Sequence, residues 1–379
     1  MSFSSSNMVL EKIVSGSSSI QKSLCRLAQY ALLGSTLLMG GTLGCADPQR
    51  LDSSDTVEDS DTASDNSLSN SIAYFLSDST SAELVIADED GSEVRSFSFP
   101  WVVNAYAAPC WTPDGKKIIV SPSDSANGGI FTLDISSGRV DALVQSADVY
   151  YSFPKVALNS SIAVQVSQVR SEDLGPAEIV VVRGTTVERV THNLVQDYSP
   201  AWTPEGSLLY VSSSAHRSMV YSYDGERHTE VPTGVPYVYN IAPSPDGSLL
   251  AILGGAFGET SLYQVPATGG AAEVLAPING RNLQWAPNGR YIVFDTGVTS
   301  LTHSLYRWDV TEKQLVRLAA EGNGSPAVRR DSEYIVFRSN RTGDPNLFKM
   351  RWDGTEVQPL TSQVEPFWVS PAEWEGYCR

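Results

Sequence analysis

Over 379 residues the chain sets 43 acidic side chains against 26 basic ones, a formal net charge of −17. That balance disfavours nucleic acid and anionic membrane surfaces as partners, and its plainest consequence is solubility. The length allows two or three domains, and 41% apolar residues are enough to bury a large core without a metal or disulfide framework.

The N-terminus reads as a targeting segment. Lys22 and Arg26 precede an apolar stretch from Leu27 to Leu43, interrupted by small residues and ending at Gly44-Cys45. A basic flank, a short apolar region and a small residue before the cut describe a secretory signal, here residues 1–44, with Met8 as an alternative start. Cys45 directly after the cut resembles the lipidated cysteine of a bacterial lipobox, although Thr42 stands where that pattern prefers Leu. A signal peptide cut elsewhere and an uncleaved anchor remain open alternatives. Residues 45–71 are rich in Ser and Asp and nearly free of apolar side chains. Such a stretch cannot bury enough surface to offset its ordering entropy, so a disordered tether is expected.

From residue 72 a seven-residue phrase recurs. Its fullest copy is Pro109-Cys110-Trp111-Thr112-Pro113-Asp114-Gly115, and it returns as Pro200-Ala201-Trp202-Thr203-Pro204-Glu205-Gly206. Weaker copies begin at Ile241 and Leu283, and decayed ones at Pro154, Pro326 and Pro366. The starts at 109, 154, 200, 241, 283, 326 and 366 are spaced by 45, 46, 41, 42, 43 and 40 residues. A period of that size with strand-rich units means a β-propeller. A short apolar run follows each copy, such as Ile118-Ile119-Val120 or Tyr291-Ile292-Val293-Phe294, and reads as a buried strand. Asp90-Gly91, Asp224-Gly225 and Asp353-Gly354 are expected to be two-residue hairpin turns with both positions at positive φ. Each unit then supplies four antiparallel strands, with the Trp of the phrase as an apolar anchor between blades.

The ring's closure is also visible. Ile72 to Val94 aligns without a gap on Ile335 to Val357, so the N-terminal piece is a blade lacking its first strand. Pro366 to Pro371 is a first strand lacking its blade. Together they complete a seventh blade and remove two open edges. The fold class is therefore all-β, a seven-bladed propeller over residues 72–379. Six blades would require the copy at Pro154 to be an insertion, which the apolar runs at Ile162–Val166 and Ile179–Val182 oppose.

The phrase resembles the P-x-W-S-P-D-G signature of TolB-like, or PD40, β-propeller repeats, over about residues 72–371. The motif speaks for the fold and says little about function, since the same repeats occur in periplasmic TolB, in propeller domains attached to peptidases and in some lyases. Members named TolB carry an α/β domain ahead of the propeller. This chain has a polar stretch there, so the resemblance is to the propeller alone. It implies a non-catalytic binding module of the cell envelope, with a protein, a peptide or a peptidoglycan-associated glycan as partner. The membrane would be reached only through the N-terminal lipid, the outer membrane favoured because Ala46 rather than Asp follows Cys45. A monomer is expected, and no cofactor. A polysaccharide lyase or hydrolase working in the central channel is the alternative.

Candidate chemistry is sparse. His192, His216, His228 and His303 show no metal-ligand spacing and fall in different kinds of loop and strand, so no metal site is expected. There is no Gly-x-Ser-x-Gly. Two cysteines remain in the propeller, Cys110 and Cys378. They would either bridge the closure, in keeping with export, or stay unpaired, one buried and one on the tail. Just ahead of the first strands stand Tyr106, Tyr151, Tyr198 and Tyr239, with Arg281 and Asn323 at the corresponding place in later units. If first strands line the channel, these six ring its mouth as an amphipathic binding surface. The alternative is that they pack between blades.

Overall fold

The computed structural model describes residues 71–77, 81–103, 108–122, 128–168, 175–256, 259–297, 303–320, 322–329 and 333–362, and the backbone of 368–369 and 373–374. The chain forms two compact units, Met1–Ser64 and Asp65–Arg379. The first lies outside the described residues, and with it the expected leader, Cys45 and most of the tether. Tyr106 and Cys378 also lie outside them.

The described residues form strands and no helix, arranged as seven antiparallel sheets in chain order. Six are complete blades. They comprise β4 (Cys110–Trp111) to β7 (Val140–Gln145), β8 (Val149–Val156) to β11 (Thr186–Arg189), and β12 (Gln196–Trp202) to β15 (His228–Val231). The others are β16 (Tyr237–Pro243) to β19 (Glu273–Ala276), β20 (Gly280–Trp285) to β23 (Gln314–Ala319), and β24 (Asn323–Val328) to β27 (Gln358–Pro359). The copy at Pro154 opens a true blade, so the count is seven.

The seventh sheet closes the ring. β1 (Ile72–Ser77) pairs with β2 (Ala82–Ala87), and β2 with β3 (Glu93–Phe99). On its other side β1 takes β28 (Trp368–Val369), with Leu76 opposite Val369 and Ser77 opposite Trp368. It also takes β29 (Glu373–Trp374), with Ile72 opposite Trp374. Both ends of the propeller chain thus share one sheet, and neither leaves an open edge.

Seven apolar clusters fill the seven junctions between consecutive blades. Ile118 and Val120 pack with Leu84 and Ile86 of the preceding blade, whereas Ile119, between them in sequence, packs with Val164 and Val182 of the next. Alternate residues of one strand point to opposite faces, and here both faces are buried. That is why the second strands read as unbroken apolar runs. Trp202 and Trp285 are almost fully buried. Each indole N–H donates to the first strand of the preceding blade, Trp202 to the Lys155 carbonyl at 3.0 Å and Trp285 to the Ala242 carbonyl at 2.9 Å.

The rest of the phrase builds the turn out of the first strand. The Asp246 carboxylate accepts from the Ser244 hydroxyl at 2.6 Å and the Ser248 N–H at 3.1 Å, and the Ser244 oxygen accepts from the Leu249 N–H at 3.0 Å. Thr112, Asp114, Lys116 and Lys117 repeat this arrangement in the first copy. Gly115, Gly206, Gly247 and Gly289 take positive φ at the same place.

The Asp-Gly pairs differ from expectation. Glycine alone is left-handed in each, at φ 89° for Gly91, 104° for Gly225 and 85° for Gly354. Pairing resumes only at Ala87↔Glu93 and Tyr223↔His228, so these are longer loops rather than two-residue turns. The aspartate acts through its side chain: Asp224 Oδ1 accepts the Glu226 and Arg227 N–H groups, both at 2.9 Å.

Truncation after Gln363 should strip β1 of both partners on its inner edge and lower the thermal midpoint markedly; a midpoint equal to that of the full chain would contradict the closure. The Ser244 hydroxyl, followed by the Ser248 N–H and hydroxyl, holds the Asp246 carboxyl below the usual carboxylate range. Its folded-state pKa is thus lower than its unfolded one, and its contribution is present above about pH 4 and lost as pH falls through the lowered value. The stability gap between wild type and Asp246→Asn should accordingly be full at pH 6 and shrink towards pH 2 in denaturant titrations.

Candidate functional site: the central channel

First strands of successive blades lie against one another, β4 on β8, β8 on β12, β12 on β16, β16 on β20 and β20 on β24. They enclose a channel cavity of about 370 Å³. Its wall takes Phe153, Ser199, Tyr239, Asn240, Asn282 and Ser325 from five different blades, with Tyr198, Gln165 and Gln284 beside them and prolines of the phrases below. Lys155 is the one formally charged side chain among the described lining residues. A chain with net charge −17 thus has, among its described residues, a channel lining free of acidic groups and rich in aromatic and amide side chains.

The wall is shaped by a repeated bulge. Pairing between first and second strands skips between Ser152 and Lys155, Tyr198 and Ala201, Arg281 and Gln284, and Gly324 and Ala327. Within these gaps Phe153, Ser199, Asn282 and Ser325 take φ of 52°, 54°, 51° and 53°. All four stand three residues ahead of the phrase's Trp position, at Val156, Trp202, Trp285 and Val328. A left-handed conformation costs a non-glycine residue about 1–2 kcal/mol, and bulges re-aim side chains. Four aligned examples around one cavity are a built feature. Sequence reasoning missed it, because Phe and Ser do not signal positive φ; the shared position just ahead of the phrase was the available clue.

The six predicted mouth residues separate. Tyr151 and Asn323 stand five residues ahead of the Trp position, whereas Tyr198, Tyr239 and Arg281 stand four ahead. Successive strand residues face opposite ways, so one step decides the face. Tyr151 is 6% exposed and packs in the junction with Cys110, Ile119 and Val166, and burial raises its phenol pKa. Asn323 is buried as well, its Oδ1 accepting from Arg341 Nη2 at 2.7 Å. These two occupy the packing position that had been the alternative. Tyr198 and Tyr239 do line the cavity together. Tyr198 donates its hydroxyl to the Val238 carbonyl at 2.6 Å, tying two first strands, while Tyr239 is 43% exposed. Arg281 is exposed on β20 opposite Asp295, outside the cavity lining.

The histidines do not meet. His228 accepts or donates at the Tyr210 hydroxyl, 3.0 Å away, and stacks on Tyr223, while His303 lies 4.0 Å from Asp295. Among the described residues no group of three or more His, Cys, Asp or Glu side chains is placed to hold a metal ion. Cys110, on β4, is disulfide-bonded.

Residues 62–321 match the family profile of the TolB beta propeller domain, PD40. An uncharacterized protein of Agrobacterium fabrum is 30% identical over 183 residues, 45% of this chain and 60% of its own length. The Tol-Pal system protein TolB of Francisella tularensis is 26% identical over 139 residues, 37% of this chain and 32% of that protein. The chain therefore spans less than two thirds of either curated relative. Among solved structures, an oligogalacturonate lyase in complex with manganese superposes with a TM-score of 0.58 at 13% identity, over 71% of this chain and 82% of that one. At such identity the likeness is one of fold.

The strain at Phe153 is open to test. Half of that side chain is exposed, so little burial is at stake. Valine, the better strand former, resists positive φ, whereas glycine accepts it. Phe153→Val should therefore destabilise more than Phe153→Gly in urea unfolding, by about 1 kcal/mol or more. The ordinary strand order, valine above glycine, would refute the left-handed assignment.

Proposed function

This chain belongs to the TolB beta propeller (PD40) family, and we propose that it is a non-catalytic binding module whose channel receives an uncharged segment of a partner protein in the cell envelope. One observation carries the reading: the cavity wall offers Phe153, Tyr198 and Tyr239 for contact area and Asn240, Asn282 and Gln284 for hydrogen bonding, with Lys155 the one charged residue among its described lining. General acid–base chemistry needs titratable groups within hydrogen-bond reach of a substrate. Aromatic and amide side chains on a rigid frame instead suit recognition. The name of the Francisella relative places that protein in the Tol-Pal system, and it is this likeness that suggests an envelope location here.

The N-terminal reading belongs to the same proposal. Residues 1–44 act as a signal, Cys45 carries a lipid, and residues 45–71 tether the propeller to a membrane, the outer one by preference. Cys45→Ser should then move the protein from the membrane to the soluble envelope fraction. We also assign the disulfide partner of Cys110 as Cys378. β29 lies against β4, which carries Cys110, and Trp374 at its end is four residues from Cys378. A bridge there fastens the closure that strand pairing begins.

The channel reading is tested with Phe153→Ala/Tyr239→Ala, two half-exposed residues on the wall, against Val274→Ala on the outer strand β19. Captured from envelope extracts, a discrete partner should be retained by wild type and the β19 variant and lost about a hundredfold by the channel variant, some 2.7 kcal/mol. Equal capture by all three would exclude the channel as the binding surface. Turnover of a polysaccharide by the purified protein would replace this reading with a lyase or hydrolase.

A further inference from the structure

We propose that Asp295 is a positioning residue that sets the shape of the channel wall across the junction between the β20–β23 blade and the β24–β27 blade. Asp295 lies on β21 (Tyr291–Thr296), directly after the apolar run, and is completely buried. The fold does not ask for an acid there. At the corresponding step of the ladder Gln165 faces Ser152, Val211 faces Tyr198 and Arg338 faces Gly324, as Asp295 faces Arg281. A carboxylate removed from water is costly unless its oxygens are bonded, so its bonds identify what it does.

One oxygen holds both sides of the junction. Asp295 Oδ2 accepts from Asn282 Nδ2 at 2.8 Å within its own blade and from the Ser325 backbone N–H at 2.6 Å in the next. Asn282 and Ser325 are two of the four left-handed residues of the wall, and both line the cavity. A single side chain thus reaches two consecutive bulges from behind. It pins the backbone conformation that turns Asn282-Leu283 and Ser325-Pro326 towards the channel.

The surroundings close in on this one oxygen, Oδ2. Gly324 runs so close that a Cβ there would come within 2.8 Å of Asp295 Oδ2 and 2.7 Å of His303 Nδ1. His303 stands 4.0 Å from the same oxygen, and Arg281 adds a further attraction from β20. The junction between the β12–β15 and β16–β19 blades is tied differently. There the Ser199 hydroxyl accepts from the Ile241 N–H at 3.3 Å and the Tyr198 hydroxyl reaches the Val238 carbonyl. Asp295 does for its junction what the Tyr198-Ser199 pair does for theirs, but through one charge instead of two hydroxyls.

Amide hydrogen exchange of the full chain, resolved at Ser325 and compared with Val293 on the same blade face, tests the assignment. Asp295→Asn keeps an oxygen acceptor but loses the charge, and Asp295→Leu loses both. Exchange at Ser325 should quicken about threefold in the Asn variant and about tenfold or more in the Leu variant, with Val293 unchanged in both. Ser325 exchanging at the wild-type rate in either variant would overturn the proposal. So would equal acceleration at Ser325 and Val293, which would mark Asp295 as a general stability residue. Should the Leu variant fail to fold, the Asn variant decides alone. The readout needs no ligand, so the outcome stands apart from the binding reading of the channel.

Discussion

Every blade of this protein is a sheet buried on both faces, and that condition can be met only in a ring. A four-stranded sheet with apolar side chains above and below is unstable alone, because each face needs a neighbour. Stacking seven satisfies six junctions and leaves the first and last sheets with one naked face each. Pairing β28 and β29 with β1 brings the last blade against the first, and the cluster joining Ile72, Tyr74 and Val85 to Val336, Leu347 and Leu360 fills the seventh junction. The closure is thus both a hydrogen-bonding solution for two edges and a hydrophobic one for two faces.

The recurring phrase serves that ring at three scales. Its Ser/Thr, Asp and Gly make a turn with internal hydrogen bonds. Its Trp, at Trp202 and Trp285, fills the junction behind it and donates to a carbonyl of the preceding blade, which registers those inner strands against their neighbours. Its proline follows the left-handed residue that shapes the channel in three of the four cases, Phe153, Ser199 and Ser325. Binding surface and structural signature are adjacent on the chain, which lets the wall vary in chemistry while the frame holds it in place.

Where the wall varies, it varies through side chains. Phe153, Tyr198 and Tyr239 give area, amides give hydrogen bonds, and among the described residues no acidic group enters the lining. Among the described residues two carboxylates are fully buried: Asp197 on the first strand β12, held by Asn193 at 2.8 Å, and Asp295 on the second strand β21, holding Asn282 and Ser325. Burial is the largest influence on each and raises both pKa values. Each adjoins the channel wall, Asp197 directly before Tyr198 and Asp295 through its bond to Asn282.

The repeat period, the apolar runs and the alignment of Ile72–Val94 on Ile335–Val357 determined the architecture, the blade count and the closing strand from sequence alone. They could do so because they report chain-local facts: turn chemistry, strand length and burial on both faces. The site was less legible. Tyr198 and Tyr239 stand on the cavity wall while Tyr151 packs in a blade junction, since a one-residue difference from the phrase inverts the face of a strand, and unaligned bulges hide that difference. The left-handed residues and the role of Asp295 were decided by tertiary structure. Nothing in Phe or Ser specifies positive φ, and the contact between Asp295 and Ser325, 30 residues apart in sequence, exists only once two blades are pressed together by the ring.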